Sequence, residues 1–439
     1  MRMRMRMRMT MRMTMQRHDY PNIGETLYSA ELPNGLRLRV VPKKGFATFY
    51  AAFAANYGGA DRRFELDGEA IDTPAGVAHF LEHKMFDLPD GDSAMNLLSA
   101  NGAEPNAFTS SDMTCYYFQC TKSFEENLRL LLHFVSTPYF TPETVQKEQG
   151  IIAQEILMGE DNPGMAIYYQ LLRQLYARHP IRDRVAGTVE SISGITDKTL
   201  YDCHRAFYAP SNMALCVEGD VDPERIYAIA LEALPQERMP VPHADYGEAE
   251  NLLPAECFAS REMPVSAPQF LIGVKIAPAQ RGSENLRQRL VAQLALRLLA
   301  GGSSPFYSRL YAEGLLCRDF DYEVDFAAGT GTVIFGGESQ QPERVLEELK
   351  AEAARISAEG FEPERFERAK RASFGARLRG FEDFDNVCVS LAGAAFDGYD
   401  AFAAPAVLSE VTADECAAFI RENLAPERLA ISIITPARN

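Results

Sequence analysis

Two histidines and a glutamate are spaced to share one face of a helix. His79 and His83 are four residues apart and Glu82 lies three after His79, so all three point the same way. Pro74, with Thr73 before it, predicts that the helix begins there. Two imidazoles one turn apart can bind one zinc ion, and a neighbouring carboxylate can accept a proton from water on the metal. The alternative is a helix whose histidines only cap or pack.

The composition limits the class of protein. The chain has 439 residues, of which 46% are apolar and 24% charged, which suits a globular protein of two or more domains. Its net charge of −17 argues against nucleic acid as the main partner and against an anionic membrane surface. There is no C-x-x-C among the eight cysteines and no run of 18 apolar residues, so we expect reduced thiols in a cytoplasmic protein.

Residues 1–17 form a low-complexity segment in which Met alternates with Arg or Thr up to Met15. No apolar segment follows, so a secretory signal is not predicted. The lack of acidic residues is compatible with an organelle transit peptide. A disordered tail, or an upstream start codon with Met15 as a later one, is the favoured interpretation, and we leave this tail out of the fold prediction.

The rest of the chain alternates strand and helix patterns. Residue types and alternation predict strands at 36–42, 47–55 and 213–218, and one long or two short strands over 106–120. Helical patterns occupy 92–101, 123–136, 142–159, 165–178 and 197–208.

One unit of this plan occurs twice. Residues 195–210 match 411–426 at a constant offset of 216, and Phe140-x-Pro-Glu matches Phe361-x-Pro-Glu at an offset of 221. We therefore predict an α+β fold of two homologous domains from an internal duplication, each an antiparallel-rich sheet packed with helices. The predicted boundaries are a zinc-bearing domain at 18–235, a linker at 236–264 and a degenerate domain at 265–439.

The duplication also singles out two carboxylates. Glu148 and Glu155 correspond to Ala369 and Ala376 in the second copy, so the fold itself does not require them. Their spacing of seven residues places both on one helix face. One can complete a zinc site of two histidines and one glutamate, and the other can orient a histidine. The second copy carries no ligand residue at 291–297 near the offset of the histidines.

These motifs together resemble one family. The resemblance is to the pitrilysin, insulysin and mitochondrial processing peptidase family, and it rests on His79-Phe-Leu-Glu82-His83, the Glu148-x6-Glu155 pair, 106–110, Gly187-Thr188-x-Glu190 and Pro210-x-Asn212-Met213. Lys84, 179–181 and 186–191 look like the half-size bacterial branch, and more narrowly like members associated with 5-aminopentanol modification of elongation factor P.

The resemblance implies a role for each matching residue. His79, His83 and Glu155 would bind one zinc ion per chain, and Glu82 would be the general base. Glu148 would orient a ligand histidine by accepting a hydrogen bond from it. An edge strand would take the peptide substrate by β-addition, and its residues are Asn106, Ala107, Phe108, Thr109 and Ser110.

The family also implies a partner. Two half-size chains close into a chamber, and the facing chain supplies an Arg and a Tyr to the substrate. Arg309 matches the Arg, but Cys317 occupies the Tyr position, and Tyr322 lies five residues further on. We therefore expect a dimer, with a heterodimer as an alternative in which a related chain supplies the Arg/Tyr pair.

The sequence thus predicts a zinc metalloendopeptidase that hydrolyses extended or unstructured peptides through a zinc-bound water, with a maturation role linked to elongation factor P. A non-catalytic assembly subunit would have lost at least one of His79, Glu82, His83 and Glu155, and none is lost. A zinc-bearing but non-proteolytic subunit of a heterodimeric maturation or assembly complex remains the alternative.

Overall fold

The computed structural model describes residues 15–278 and 280–437, in which two α+β units follow one another along the chain. The first sheet has seven strands in the order β1-β2-β3-β9-β4-β8-β7. Its strands are β1 Gln16–Tyr20, β2 Glu25–Glu31, β3 Arg37–Pro42, β4 Phe49–Ala55, β7 Ala103–Thr109, β8 Thr114–Cys120 and β9 Met213–Gly219. A separate hairpin, β5 Arg63–Leu66 with β6 Glu69–Asp72, precedes the first helix.

The helices of the first unit include the one that carries His79, Glu82 and His83. In chain order they are α1 Val77–Lys84, α2 Ala94–Ala100, α3 Phe124–Ser136, α4 Pro142–Glu160, α5 Pro163–Leu175, α6 Val189–Ser193, α7 Asp197–Phe207 and α8 Pro223–Ala233. Short 3-10 turns lie at Pro180–Arg182 and Pro210–Asn212.

The second unit repeats the arrangement with a five-stranded sheet in the order β10-β14-β11-β13-β12. Its strands are β10 Phe258–Met263, β11 Gln269–Ile276, β12 Asp321–Asp325, β13 Gly331–Glu338 and β14 Ala430–Pro436. Its helices are α9 Ser283–Ala300, α10 Pro305–Ala312, α11 Pro342–Glu359, α12 Pro363–Gly380, α13 Phe384–Asp397, α14 Ala404–Glu410 and α15 Ala413–Asn423, with 3-10 turns at Ala401–Ala403 and Pro426–Arg428.

The predicted α+β fold of two homologous units is confirmed by the strand pairing. In the first sheet β3 pairs parallel with β9, and β9, β4, β8 and β7 follow in antiparallel pairs. The second sheet has the same sequence of pairings from β10 to β12. Part of the match between 195–210 and 411–426 reflects helix capping. Thr196 and Thr412 are equivalent N-caps, whose hydroxyls accept the backbone N–H of Thr199 and Glu415.

The two units exchange one helix each. Apolar residues of α13, among them Val387 and Leu391, form one core with β4 and β9 of the first sheet. Reciprocally, Leu171 and Leu175 of α5 pack with Ile334 and Ala430 of the second sheet. Both faces of the first sheet are therefore covered, which explains why β4 reads as a continuous apolar run rather than as an alternating strand.

Most predicted elements occur within a few residues of their predicted bounds. The stretch 106–120 forms two strands, β7 and β8, joined by a tight turn at residues 110–113. Of the predicted tail at 1–17, residues 1–14 lie outside the described residues, whereas Met15 is buried and the last two belong to β1.

The segment predicted as a linker, 236–264, is packed against both units and contains β10. Tyr246 donates a hydrogen bond of 2.7 Å to Asp61 in the first unit. Glu250 accepts three backbone N–H groups from residues 177–179 at 2.7–2.8 Å and pairs with Lys275 at 3.3 Å. Burial opposes its ionisation, but these donors and Lys275 lower the pKa of Glu250 to about 2.

Two predictions from composition can be compared with the structure. Within residues 15–278 and 280–437, no helix combines the length and apolar character needed to cross a bilayer. All eight cysteines are free thiols, and six are buried, while Cys257 and Cys317 are exposed.

Candidate metal centre

The helix that carries the two histidines begins later than predicted. Its first residue is Val77, and Thr73 instead donates a side-chain hydrogen bond of 2.9 Å to the carbonyl of Arg62. Gly76 precedes the helix with φ of 98°, and a Cβ there would lie 2.6 Å from the carbonyl oxygen of Ala186. The prediction of a start at Pro74 was wrong because this close approach, which only glycine permits, sets the entry of the chain.

The structure brings His79, His83 and Glu155 together. His79 Nε2 lies 3.4 Å from one carboxylate oxygen of Glu155, and His83 Nε2 lies 3.6 Å from the other. One ligand atom from each of the three falls within 4.8 Å of the others, and no second group of this kind occurs in the described parts of the chain. The histidines come from α1 and the glutamate from α4, so the packing of these two helices forms the centre.

The donor set fits a zinc ion. Zinc binds imidazole nitrogen at about 2.0–2.1 Å and carboxylate oxygen at about 2.0–2.2 Å in a tetrahedron, which sets neighbouring ligand atoms roughly 3.4 Å apart. The two nitrogen–oxygen separations at Glu155, 3.4 and 3.6 Å, are close to that value. The Glu155 side chain is half exposed, so the centre opens to solvent rather than closing over a fourth protein ligand.

Glu148 lies behind His83. Its carboxylate is 3.0 Å from His83 Nδ1, and when it accepts the proton there, Nε2 presents a lone pair towards Glu155. Burial acts to lower the pKa of His83, but the hydrogen bond and charge of Glu148 outweigh it and raise that pKa. Burial acts to raise the pKa of Glu148, but His83 lowers it in turn. Hydrogen bonding by His79 lowers the pKa of Glu155.

Glu82 occupies the same face of α1 and does not join the three grouped ligand atoms. Its side chain is 9% exposed, and Thr109 Oγ1 donates to its carboxylate at 2.5 Å. A buried carboxylate held in one orientation next to a metal centre is suited to accept and return a proton. His79 Nδ1, by contrast, is buried and has no hydrogen-bond partner among the described residues.

The predicted substrate strand is the edge of the first sheet. Asn106, Ala107, Phe108 and Thr109 belong to β7, which is last in the strand order and pairs on one side only with β8. Ser110 falls beyond β7, in the turn, where its N–H donates to the carbonyl of Met113. An edge strand with one free side can accept an extended peptide by backbone hydrogen bonds.

Arg309 is not brought to the metal centre within this chain. It lies on α10 and pairs with Glu348 at 2.9 Å and Glu313 at 3.8 Å, both in the second unit. Cys317 lies just after α10, and its carbonyl accepts from Tyr307 Oη at 3.4 Å.

Two exposed apolar residues near the centre were missed from the sequence. Ile151 and Met158 are 49% and 74% exposed, and they alternate along α4 with Glu148 and Glu155 at spacings of three and four. That spacing puts all four on one helix face, and the 3-4-3 pattern is the signal that could have identified them.

The chain was also compared with known proteins. Residues 68–189 match the family described as Insulinase (Peptidase family M16), and residues 194–373 match the family described as Peptidase M16 inactive domain. An uncharacterized zinc protease of Bacillus subtilis (strain 168), YmfH, is 37% identical over 425 residues, which cover 95% of this chain and 98% of that protein.

Solved structures show the same fold. A crystal structure described as an M16-like peptidase from Alicyclobacillus acidocaldarius has a TM-score of 0.90 and 33% identity, and the match covers 96% of this chain and all of that one. Pitrilysin, at 15% identity, has a TM-score of 0.75, and the match covers 98% of this chain but 46% of the pitrilysin chain.

Proposed function

Because the chain belongs to the insulinase family, peptidase family M16, we propose that it is a zinc metalloendopeptidase acting on extended or unstructured peptides. The observation that carries the proposal is the convergence of His79, His83 and Glu155, with Glu82 beside them on α1. The names of the relatives support a protease that uses zinc. The proposed residue roles rest on the geometry of this chain.

In this proposal His79, His83 and Glu155 hold one zinc ion, which supplies Lewis acidity for a peptide carbonyl and lowers the pKa of water to about 7. Glu82 accepts the proton of the attacking water and passes it to the leaving amine. Thr109 keeps the Glu82 carboxylate in one orientation through its 2.5 Å hydrogen bond. Glu148 holds the His83 ring by accepting its Nδ1 proton.

The substrate would lie along β7. A peptide added to this edge would pair through its backbone with residues 106–109, so that binding depends on extended conformation more than on side-chain identity. Thr109 links the end of this strand to Glu82, which would bring the bound peptide bond close to the base. Ile151 and Met158 would offer apolar contact on the α4 side of the same centre.

The chain would act as part of a dimer. Arg309 is engaged with Glu348 on its own surface and makes no described contact with the metal centre, so any role at a substrate requires a facing chain. Cys317 cannot supply a phenol, which favours a related partner that does. The same feature favours the alternative function, a zinc-bearing but non-proteolytic subunit of a maturation complex. The link to elongation factor P is a prediction from the 179–181 and 186–191 motifs.

Metal analysis combined with peptide cleavage tests the proposal. We expect about one zinc per purified chain and cleavage of an unstructured quenched-fluorescent peptide, alone or after mixing with a related chain. Glu82→Gln should keep the zinc and lose the cleavage. Zinc without cleavage in every mixture would favour the non-proteolytic alternative, and a chain that takes up no zinc would contradict both functions.

A further inference from the structure

A small cleft beside α5 is lined by four arginines. It measures about 240 Å³ and lies between α5, residues 182–184 and the edge strand β10. Its guanidinium groups belong to Arg173, Arg182, Arg184 and Arg261. Such a concentration of positive charge is unexpected in a chain of net charge −17, because a solvated face of this protein would on average be acidic.

These arginines have no carboxylate partners. Across residues 15–278 and 280–437, none of the four has a carboxylate oxygen within 4.0 Å, and nearby acids are engaged with other arginines: Asp183 with Arg62 at 2.6 Å and Glu248 with Arg178 at 3.2 Å. Arg184 instead stacks over the Tyr169 ring at 5.6 Å. The acidic residue on the cleft wall is Glu256, which is exposed. Arg182 also donates to the carbonyl oxygen of Ala177. With four arginines and one glutamate in its lining, the cleft holds an excess of positive charge.

Two amide groups of α5 lie in the wall of the cleft with buried atoms that lack partners. They are Gln170 Nε2, a donor, and Gln174 Oε1, an acceptor, one helical turn apart. The orientation of the Gln174 amide is fixed because its Nε2 donates to the carbonyl of Ile431 at 2.9 Å. A ligand that satisfies both would offer an acceptor oxygen and an N–H donor, in addition to negative charge for the arginines.

One arginine of the cleft approaches the helix that carries Glu155. Arg184 Nη1 lies 3.4 Å from where a Cβ on Gly159 would be, and Gly159 is one turn beyond Glu155 on α4. The four residues from Glu155 to Gly159 correspond to a rise of about 6 Å along the helix. An extended peptide advances about 3.3 Å per residue, so a peptide bound at the centre could place a side chain in the cleft a few residues away.

We propose that this cleft binds a carboxylate side chain, Asp or Glu, of a peptide whose scissile bond lies at the metal centre, an inference that rests on the proposed peptidase function. The carboxylate accepts from the arginines and Gln170, and the backbone N–H of the same peptide donates to Gln174. A fully ionised inorganic anion would satisfy the arginines but would leave Gln174 without a donor. The cleft thus gives a backbone-reading peptidase a preference for acidic residues at one position.

The test measures peptide binding separately from cleavage. A set of peptides with acetylated and amidated ends carries a single Glu moved through successive positions, each compared with its Gln counterpart. Fluorescence anisotropy with the Glu82→Gln protein should find one position at which Glu binds on the order of ten times more tightly than Gln. That preference should weaken as ionic strength rises, because the charges are partly exposed.

Variants locate the preference on the cleft. Arg173 and Arg261 are exposed, so Arg173→Gln with Arg261→Gln should fold normally and lose most of the Glu preference. Arg178→Gln, which removes one positive charge from a neighbouring exposed side chain outside the cleft, should retain it, and each single variant, Arg173→Gln or Arg261→Gln, should weaken it. A preference that survives in the double variant, or is equal for Glu and Gln at every position, would overturn the proposal.

Two further arms separate other sources of negative charge. A peptide with a free C-terminus and no Glu, and inorganic phosphate as a competitor, are measured with the same protein. Binding only of the free C-terminus, or of phosphate with no Glu preference, would overturn the proposal. Wild-type protein that cleaves without position dependence would refute this cleft and keep the peptidase. Position-specific binding without cleavage by any form of the protein would support the cleft and refute the peptidase function.

Discussion

Thr109 donates a hydrogen bond of 2.5 Å to Glu82 and so joins the last residue of the edge strand to the helix of the metal centre. Thr109→Val removes this donor with little change in shape. We expect turnover to fall roughly tenfold, because a hydrogen bond to a charged group is lost where the carboxylate must be oriented. Zinc content should not change, and Thr109→Ser should restore most of the activity. Equal activity in the Val variant would show that the contact is structural.

Zinc content of variants distinguishes the metal ligands from the residue that orients one of them. His79→Ala and His83→Ala should abolish zinc binding, and Glu155→Ala should weaken it greatly, because each removes an atom that faces the shared centre. Glu148→Ala should lower zinc affinity about 10- to 100-fold, since it removes only the acceptor behind His83. Elemental analysis and competition with a chelator measure both. Full occupancy in Glu155→Ala would transfer the ligand role to Glu148.

Replacement of the proposed base separates binding from chemistry. Glu82→Gln preserves shape and can still accept from Thr109, but it cannot take a proton. We expect retained zinc and peptide affinity with turnover reduced on the order of a hundredfold or more. Single-turnover kinetics and elemental analysis on one preparation check this. Loss of zinc in Glu82→Gln would reverse the assignment of Glu82 and Glu155.

The partner prediction concerns Cys317, at the position where the family resemblance expects Tyr. If activity requires a related chain, the purified protein alone should be weakly active, and Cys317→Tyr or a co-expressed relative should increase turnover. Cys257→Tyr, at the other exposed cysteine, is the matched control and should have no such effect. Light scattering gives the size of each form. A homodimer that cleaves unstructured peptides at ordinary rates and gains nothing from Cys317→Tyr would count decisively against a heterodimer.

Acid should destabilise the first unit through His204. Burial lowers the pKa of His204 to about 4, although its ring bonds the carbonyl of Val135 at 3.0 Å. In the unfolded chain the imidazole has a pKa near 6.5, so unfolding takes up a proton between pH 6.5 and 4. The free energy of unfolding should therefore be unaffected by this group above pH 6.5 and fall by about 3 kcal/mol by pH 4.

Denaturant unfolding at a series of pH values measures this effect. His204→Gln keeps a donor for Val135 but does not titrate, so its stability should depend less on pH over the same range. His133→Gln, at an exposed position, should retain the full acid sensitivity. An unchanged slope in His204→Gln would assign the acid sensitivity to other groups.

The sequence predicted the parts that depend on local pattern. The spacing of His79 and His83 placed them on one helix face, and the comparison of Glu155 with Ala376 identified a carboxylate that packing alone does not need. The start of the helix was not predictable, because it depends on the contact of Gly76 with Ala186, over a hundred residues away. The sequence equally gave no sign that Arg309 would pair with Glu348, since that contact joins two helices.

Which sheet a helix covers was also beyond the sequence. The apolar positions of α5 and α13 would look the same whether each helix packed on its own sheet or on the other one, because periodicity records a buried face and not its partner. The cleft of four arginines has the same origin: Arg184 and Arg261 lie far apart in the chain and meet only because α5 packs on the second sheet.

The exchange of α5 and α13 bears on how such a chain could have arisen. A single ancestral unit with this topology would have carried an apolar helix that its own sheet does not bury, and pairing two copies as a homodimer would have buried that helix in each. Gene duplication and fusion would then turn a symmetric pair into one polypeptide and free one half to lose its metal ligands. A chain cut between its halves should give two fragments that unfold at lower denaturant concentration apart than when mixed.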